Sequence, residues 1–520
     1  MSILRSSFPD VVIPERNLTQ HVLRHASSRA DEPAFVEIND DGRTLTYGAF
    51  ATAVRRLAGG LKARGVGPGT TWALMATNGP EFATVFHALS WAGATVTTLN
   101  PTYQAEEVAG QLRDAAAKAI VTVGPCLDVA RAAAAAAGVD DVFLMKPGGE
   151  APSIETIYGE ELATPVSVDP AEHVVALPYS SGTTGFPKGV MLTHRNLVAN
   201  LVQIEESIPQ GEDDKVFAVL PFFHIYGMTV LMNHTLATGG TVVTAPRFDL
   251  VQMLEGVQAA KLTVLYLVPP IVTALAKHPV VEHYDLSSVR MILSGAAPLS
   301  GELAEAAAAR VGCPVIQGYG MTEMSPVSHA VPRDDYRAGS VGTLVPNTEA
   351  RLVDPDTGED VAAGAGRGEL WVRGPQVMKG YFGHTAATAA TLDAEGWLHT
   401  GDIATVDADG HFFVVDRLKE LIKVKGFQVA PAELEAILVN LDGVADAAVV
   451  GVPDEACGEV PKAFIVRAPE SDVTVGSIQA EVAARVATYK HVREVEFVAS
   501  IPKSASGKIL RRALRDRRNQ

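Results

Sequence analysis

The first three hundred residues alternate short, β-branched apolar runs with longer segments of helical periodicity. Strand-like runs occupy TWALMAT (71–77), ATVTTLN (94–100) and AIVTV (119–123), and helical stretches such as EFATVFHALSWAG lie between them. The same alternation then repeats, which predicts two α/β lobes built on parallel sheets. The repeated strands are VFAVLPFF (216–223), TVVTAP (241–246), LTVLYLV (262–268), VRMIL (289–293) and PVIQ (314–317).

The residues that follow these strands carry reactive side chains. His224 and Arg247 come after the first and second strands of the repeated pattern, SGAAPL (294–299) after the fourth and GYGMTE (318–323) after the fifth. In open α/β sheets, ligands bind outside the carboxyl ends of the strands. We therefore predict that these four strand ends meet in one shared crevice.

The remaining third of the chain has a different pattern of apolar and turn-forming residues. From about residue 336 to 417, short strands alternate with Gly and Asp turns, and Asp-Ala-Asp-Gly between two apolar runs predicts a hairpin. A compact mixed unit follows, with PAELEAILVNL as a helix and ADAAVVGV and KAFIVRA as strands. We predict an α/β multidomain protein. Its N-terminal domain spans 1–417, with α/β lobes to about 335 and a small barrel-like β part after them, and an α+β C-terminal domain spans 418–520.

Composition and charge narrow the function classes. The chain has 60 Asp and Glu against 43 Lys and Arg, a net charge of −17, which argues against a nucleic-acid partner. Cys126, Cys313 and Cys457 lie far apart without metal-ligand spacing, which is typical of a reduced, intracellular protein. No signal peptide is recognised, and no run reaches the roughly 20 apolar residues of a membrane span. We expect a cytoplasmic enzyme.

The segment YSSGTTGFPKGVMLTH (179–194) has the composition of a phosphate-binding loop. Its glycines expose backbone N–H groups, its hydroxyls add rotatable donors, and Lys188 adds a positive charge. The spacing is not that of a P-loop, because Gly189 stands where the magnesium-binding hydroxyl would follow the lysine. A flexible glycine-rich surface loop is the alternative interpretation of this segment alone.

Several motifs, in order from roughly residue 20 to the end, resemble the adenylate-forming acyl/aryl-CoA synthetases. They are YSSGTTGFPKGV, GYGMTE, GELWVRG, GWLHTGD, VDRLKELIKVKGFQVAPAELE and PKSASGK. The resemblance is closest to the 4-coumarate–CoA ligase branch. It implies a large N-terminal domain of two α/β lobes and a small β-barrel, followed by a mobile C-terminal domain.

The resemblance also implies a reaction in two steps. A carboxylate attacks the α-phosphate of ATP, which releases pyrophosphate and leaves an acyl-AMP. The thiol of coenzyme A then displaces AMP to give a thioester. The implied cofactors and substrates are ATP, Mg²⁺, coenzyme A and a small carboxylic acid.

The family motifs assign roles around the nucleotide. Tyr319 is expected to stack on adenine, Thr322 to bind the α-phosphate, Glu323 to ligand Mg²⁺, and Asp402 and Arg417 to reach the ribose. Taken singly, Tyr319 is typical of a core aromatic and Glu323 of a solvated helix charge. The full set expected to bind ATP or AMP is Ser180, Ser181, Gly182, Thr183, Thr184, Gly185, Lys188, Gln317, Gly318, Tyr319, Thr322, Asp402, Arg417 and Lys419.

The remaining roles divide between the two steps. Lys508 resembles the family's lysine that neutralises the transferring phosphate, and the resemblance implies that His224 lies beside the reacting carboxylate, whereas taken singly it is as typical of a buried histidine. The C-terminal domain would have to rotate near Lys419 to present its other face, which is a hypothesis of domain alternation. Lys423 and Gln428 are expected to contact the acyl-AMP, and Lys425, Gly426 and Arg247 to bind coenzyme A.

The acid itself is the least constrained part of the prediction. The plant hydroxycinnamate ligases usually have a lysine where this chain has Leu293 and commonly a methionine where it has Ala330, so hydroxycinnamate-like, aryl and medium-chain fatty acids all remain open. One alternative function is an acyl-AMP ligase that loads an acyl carrier protein. Another is an ATPase or nucleotide sensor without ligase activity. The expected pocket residues are Tyr226, Gly295, Ala296, Ala297, Gly318, Pro326 and Val327.

Overall fold

Four β-sheets organise the part of the chain that the structure describes. The structure is a computed structural model. It describes residues 3–38, 42–180, 187–208, 210–245, 248–332, 335–424, 427–454, 457–505 and 507–516. The sheets and their helices form a mixed α/β architecture with a separate C-terminal unit, which confirms the predicted fold class.

The N-terminal sheet has a parallel centre. Strand Thr71–Met75 pairs in parallel with Thr95–Leu99 on one side and with Ala117–Thr122 on the other. These strands are almost wholly buried, as expected where helices cover both faces of a sheet. The strand order is Gly380–Tyr381, Lys188–Thr193, Val174–Ala176, Thr95–Leu99, Thr71–Met75, Ala117–Thr122 and Asp141–Leu144, with Tyr179–Ser180 paired to Lys188–Thr193.

The central sheet carries the predicted strand ends. Its middle strands, from Val315–Gly320 across to Pro33–Glu37, are parallel, and antiparallel strands close both edges. The order is Thr343–Leu344, Val327–Ala330, Val315–Gly320, Met291–Ser294, Val264–Leu267, Lys215–Phe217, Thr241–Thr244, Pro33–Glu37 and Thr44–Thr46.

Two smaller sheets complete the fold. The predicted Asp-Ala-Asp-Gly hairpin joins Leu398–Val406 to Phe412–Arg417, which pair antiparallel. The antiparallel sheet has the order Leu4–Arg5, Glu349–Val353, Arg367–Arg373, Leu398–Val406 and Phe412–Arg417. The C-terminal sheet has the order Phe427–Val429, Ile422–Val424, Gly458–Arg467 and Val444–Asp454, with Glu494–Phe497 parallel to Gly458–Arg467. The domain boundary after residue 417 stays a prediction.

The helices cover the sheets and place their apolar faces on several cores: a large one between the first two sheets, a second under helices Ala105–Asp114 and Leu127–Ala137, and a third under helices Pro431–Val439 and Val475–Ala483. Helix Leu127–Ala137, built on the alanine run, ends at Gly138, whose φ of 71° suits glycine. No helix among the described residues combines the length and the apolarity that crossing a membrane requires. The longer helices are Tyr47–Ala63, Pro80–Trp91, Ala105–Asp114, Leu127–Ala137, His194–Ser207, the π-helix Gly227–His234, Leu250–Ala260, Pro269–Lys277, Gly301–Val311, Pro431–Val439 and Val475–Ala483. The shorter helices are Leu18–Val22, Leu23–His25, Gly124–Cys126, Ile154–Ile157, Thr235–Ala237, Pro279–His283, Thr322–Met324, Thr385–Thr391, Thr488–Lys490 and Arg511–Asp516.

The predicted strand over 216–223 was wrong in its length. The strand ends at Phe217, and the following residues leave the sheet. The side chain of Asn78 donates to the carbonyls of Ala218 and Leu220 and accepts the N–H of Phe222 at 2.7 Å. Because Asn78 satisfies these backbone groups, the segment needs no strand neighbour, and the chain turns toward His224.

Helix Tyr47–Ala63 depends on glycine for its closest contact. A Cβ on Gly60 would lie 1.5 Å from the carbonyl oxygen of Ile157, and one on Gly59 would lie 1.8 Å from that of Glu160. Because both obstacles are backbone atoms, no side-chain rotation could relieve them. The contact therefore excludes any larger residue at these two positions.

We predict opposite effects for two alanine substitutions in helices. Gly60→Ala should destabilise the protein by about 1–3 kcal/mol, because the added methyl group would overlap the backbone of Ile157. Gly110→Ala, in helix Ala105–Asp114 with nothing near its Cβ, should stabilise it by about 0.5–1 kcal/mol. Thermal unfolding of both variants beside the parent checks this. A melting temperature for Gly60→Ala equal to the parent's would contradict the packing.

Candidate active site

Two of the predicted strand ends are hydrogen-bonded to each other. Strand Val315–Gly320 runs parallel to Met291–Ser294, and the chain passes from it into the 3-10 helix Thr322–Met324. The buried side chain of Gln317 accepts the N–H of Leu299 through Oε1 at 3.1 Å. The segments SGAAPL and GYGMTE therefore lie together at the carboxyl edge of the central sheet.

Asp402 joins the central sheet to the antiparallel sheet. The hydroxyl of Tyr319 donates to Oδ2 of Asp402 at 2.6 Å, and Nε of Arg417 lies 3.2 Å from Oδ1. Asp402 and Arg417 face each other across their strands. Each carboxylate oxygen has two lone pairs, so both keep capacity to accept a further hydroxyl. Burial and the charge of Asp402 raise the pKa of Tyr319, which keeps its phenol a donor.

Lys508 lies within electrostatic range of this carboxylate. It follows Gly507 in a tight turn, in which the N–H of Gly507 donates to the carbonyl of Ser504 at 2.9 Å. A Cβ on Gly507 would lie 3.2 Å from the side chain of Val268, so the turn rests on the loop that follows strand Val264–Leu267. Burial and the charge of Arg417 lower the pKa of Lys508 to about 8, whereas Asp402 acts in the opposite direction.

His224 belongs to the same group of residues. Its Nδ1 accepts the N–H of Tyr226 at 3.3 Å, so the neutral ring carries its proton on Nε2. Burial and the charge of Lys508 lower the pKa of His224 to about 4. The imidazole is therefore neutral at pH 7 and offers a hydrogen bond rather than a charge.

The phosphate segment meets Glu323. Ser180 and Lys188 face each other across short antiparallel strands, at the two ends of the glycine-rich loop. Oγ of Ser180 donates to Oε1 of Glu323 at 2.8 Å, and the hydroxyl of Tyr381 donates to the same oxygen at 2.8 Å. Nζ of Lys188 lies over the ring of Tyr381, 5.3 Å from its centroid.

Glu323 fits a magnesium ion that is held mainly by the nucleotide. Its carboxylate is 4% exposed, and Oε1 is occupied by two hydroxyl donors, which leaves Oε2 for a cation. Mg²⁺ is usually bound by one or two carboxylates together with substrate phosphates and water. Among the described residues, no group of three or more His, Cys, Asp or Glu side chains is placed to hold a metal ion. The donor set therefore suits Mg²⁺ that arrives with ATP.

Two of the predicted acyl-pocket residues, Tyr226 and Gly295, pack against each other. A Cβ on Gly295 would lie 3.0 Å from the ring of Tyr226. The hydroxyl of Tyr226 donates to the carbonyl of Leu293 at 3.4 Å. Ala296 has a positive φ of 70°, which is costly for a residue with a side chain. A Cβ on Gly318 would lie 3.3 Å from the carbonyl of His329. Of the other predicted pocket residues, Ala297 follows strand Met291–Ser294, Pro326 follows the 3-10 helix Thr322–Met324, and Val327 begins strand Val327–Ala330.

The structure does not bring every predicted residue to this cluster. Lys423 and Gln428 pair across two strands of the C-terminal sheet, and Oε1 of Gln428 accepts a hydrogen bond from Arg367 at 3.3 Å. In the described part of the chain, neither forms a hydrogen bond or ion pair with Asp402, Arg417 or Lys508. Thr322 is half-buried, and Lys419 is exposed in the turn 418–420. Ser181, Gly182, Thr183, Thr184, Gly185, Arg247, Lys425 and Gly426 lie outside the described residues.

Tyr381 is a site residue that the sequence analysis missed. It lies in MKGYFG, where the local pattern indicates only a short apolar strand. Its strand pairs with Lys188–Thr193, nearly two hundred positions earlier in the chain. Such a pairing leaves no local signal in one sequence.

Comparison with known proteins agrees with this geometry. The family model of AMP-binding enzymes matches residues 22–382, and the model of the AMP-binding enzyme C-terminal domain matches residues 433–508. The chain belongs to the AMP-binding enzyme family. It is an AMP-forming acid–thiol ligase. In this AMP-binding enzyme, Ser180, Lys188, Glu323 and Tyr381 lie within the first match, and Lys508 is the last residue of the second.

Two plant proteins are similar along the whole length of this AMP-binding enzyme. It is 42% identical to 4-coumarate–CoA ligase 5 of Oryza sativa subsp. japonica, over 99% of this chain and 97% of that protein. It is 41% identical to 4-coumarate–CoA ligase 1 of Arabidopsis thaliana, over 99% of this chain and 95% of that protein. The recognised family is thereby confirmed.

Solved structures share the fold. ATP-bound MatB from Rhodopseudomonas palustris superposes with a TM-score of 0.87 at 30% identity, covering 97% of this chain and 99% of that one. The anthranilate CoA ligase AuaEII, in complex with anthranoyl-AMP, superposes with a TM-score of 0.90 at 27% identity, covering 98% of each chain.

We predict that kcat/KM for ATP falls as the pH rises through about 8. A lysine is charged below its pKa, so the lowered pKa of Lys508 removes a cation from the free enzyme in that range. The pH profile of ATP–pyrophosphate exchange measures it. Lys508→Arg should be slower but without this alkaline decline, since arginine does not titrate there. The same decline in Lys508→Arg would contradict the assignment.

Proposed function

We propose that this ligase joins a small carboxylic acid to coenzyme A in two steps. In the first step, the acid attacks the α-phosphate of ATP to form acyl-AMP and pyrophosphate. In the second step, the thiol of coenzyme A attacks the acyl carbonyl and releases AMP. The observation that carries this proposal is the tail turn at Gly507, which packs against Val268 and brings Lys508 within electrostatic range of the Asp402–Arg417 pair.

The first step brings two anions together, so its barrier depends on charge neutralisation and positioning. Arg417 and Lys508 provide positive charge near the α-phosphate and the carboxylate, and Lys188 does so toward the β- and γ-phosphates. Glu323 would hold Mg²⁺, which would supply further positive charge to the phosphates. Tyr319 orients Asp402 toward the ribose through its hydroxyl. Neutral His224 donates a hydrogen bond near the reacting carboxylate.

The second step requires a different arrangement of the C-terminal domain. The turn that carries Lys508 packs against Val268 of the large domain, whereas among the described residues neither Lys423 nor Gln428 bonds Asp402, and Gln428 accepts a hydrogen bond from Arg367 instead. A rotation about the turn 418–420 would exchange these faces. Lys425, Gly426 and Arg247 would then bind coenzyme A.

The acid is a hydroxycinnamate-like, other aryl or medium-chain fatty acid. Leu293 is 4% exposed, and its Cδ2 would lie 3.7 Å from a Cβ on Gly318, so the floor beside Gly318 is apolar. The 42% identical relative is named a 4-coumarate–CoA ligase, and one similar structure binds anthranoyl-AMP. An apolar pocket separates substrates by only about 1–3 kcal/mol per methylene, so a range of acids is expected.

An acid panel tests the proposed function. ATP–pyrophosphate exchange is measured with 4-coumarate, cinnamate, benzoate, hexanoate and octanoate, and thioester formation is then measured with coenzyme A and with a holo-acyl carrier protein. We expect acid-dependent exchange and transfer to coenzyme A. Transfer to the carrier protein alone would favour the acyl-AMP ligase alternative. Release of inorganic phosphate without exchange would indicate an ATPase.

We predict that Lys508→Ala separates the two steps. Acyl-AMP formation should fall by roughly 10²–10³-fold, because a charge that stabilises the transition state is lost. Thioester formation from supplied acyl-AMP should persist. Lys490→Ala, which removes a surface lysine paired with Glu433 at 2.6 Å, is the matched control and should leave both steps unchanged. Equal loss of both steps in Lys508→Ala would refute the role.

We predict that Lys419→Pro impairs only the second step. Proline fixes φ near −65°, so the turn would no longer permit the rotation. Exchange should stay near the parent rate, whereas thioester formation from supplied acyl-AMP should fall at least tenfold. Unchanged overall turnover would count against domain rotation at this position.

A further inference from the structure

Tyr381 reaches the phosphate segment through a long-range strand pairing. Its two-residue strand Gly380–Tyr381 lies antiparallel to Lys188–Thr193, with Tyr381 opposite Val190. The N–H of Phe382 donates to the carbonyl of Gly189 at 2.8 Å, so the pairing continues toward Lys188. Tyr381 is 6% exposed, and its own N–H donates to Oγ1 of Thr388 at 2.9 Å. The strand pairing and the hydrogen bond of its own N–H therefore fix the position of Tyr381.

The hydroxyl of Tyr381 fixes the carboxylate of Glu323. It shares Oε1 with Oγ of Ser180, and both donors lie at 2.8 Å. Two donors on one oxygen define the orientation of the carboxylate plane and leave Oε2 for the cation.

The ring of Tyr381 supports a second group of the phosphate site. Nζ of Lys188 lies over its face at 5.3 Å, within the range of a cation–π interaction. One side chain therefore contacts the carboxylate that faces the cation and the lysine that faces the phosphates. The two contacts use different parts of the tyrosine, so substitution can separate them.

We propose that Tyr381 is a positioning residue for the metal-bound nucleotide: its hydroxyl orients Glu323 toward Mg²⁺, and its ring orients Lys188 toward the phosphates. The inference rests on the proposed nucleotide site and deepens it. Partners that orient a metal ligand typically contribute 10- to 100-fold to metal affinity. Loss of the hydroxyl should therefore weaken only the part of ATP binding that depends on the metal.

Calorimetric binding of α,β-methylene ATP, without acid or coenzyme A, separates the two contacts. Each protein is titrated once in EDTA and once in excess Mg²⁺. Tyr381→Phe should bind about tenfold more weakly in Mg²⁺ and unchanged in EDTA, because the ring remains under Lys188. Tyr381→Leu should in addition bind more weakly in EDTA. Equal weakening of Tyr381→Phe in both conditions, or no change in either, would overturn the proposal.

Two further variants exclude a merely structural effect. Tyr47→Phe removes a buried hydroxyl that donates to the carbonyls of Leu236 and Gly240, so it matches the chemical change at a remote place and should leave both affinities unchanged. Ser180→Ala removes the other donor to Oε1. The double variant Ser180→Ala/Tyr381→Phe should lower the affinity in Mg²⁺ by a factor that differs from the product of the two single-variant factors. Strict additivity would contradict the shared oxygen. Because no acid is present, failure of acid ligation would leave this result intact.

Discussion

A buried carboxylate connects the parts of this enzyme. Asp402 is 4% exposed, accepts the hydroxyl of Tyr319 from the central sheet and pairs with Arg417 on the neighbouring strand. Burying a charge costs several kcal/mol unless partners compensate it, so these groups must meet for the fold to be stable. Lys508 from the C-terminal tail adds a further charge at the same place. The interaction that joins the sheets is therefore also the one that would receive the nucleotide.

The site contains two neighbouring cations, although the whole chain has a negative net charge. The chain carries a net charge of −17, yet burial and the positive charge of Arg417 both lower the pKa of Lys508. This repulsion would be relieved when phosphate oxygens come between the two cations. Placing cations side by side in the free protein thus favours binding of an anion, and net charge says nothing about such a local field.

Part of the site follows from the rule that ligands bind at the carboxyl ends of parallel strands. The position of GYGMTE after a strand predicted that this segment borders a ligand site, and the family resemblance assigned the roles of Tyr319, Glu323 and Asp402. The course of the chain after Phe217 was not predictable, because the side chain of Asn78, far away in sequence, satisfies its backbone groups. Tyr381 was not predicted for the same reason, because its place in the site depends on a strand pairing with residues near Lys188.

The sequence by itself determined the order of strands and helices, the motifs and the type of chemistry, because periodicity and residue type act locally. The tertiary structure decided which groups share an atom or a charge. Ser180 and Tyr381 meet on one oxygen of Glu323, and burial together with the charge of Lys508 lowers the pKa of His224. These relations depend on distances across sheets, where burial strengthens every charge interaction, and no local pattern encodes them.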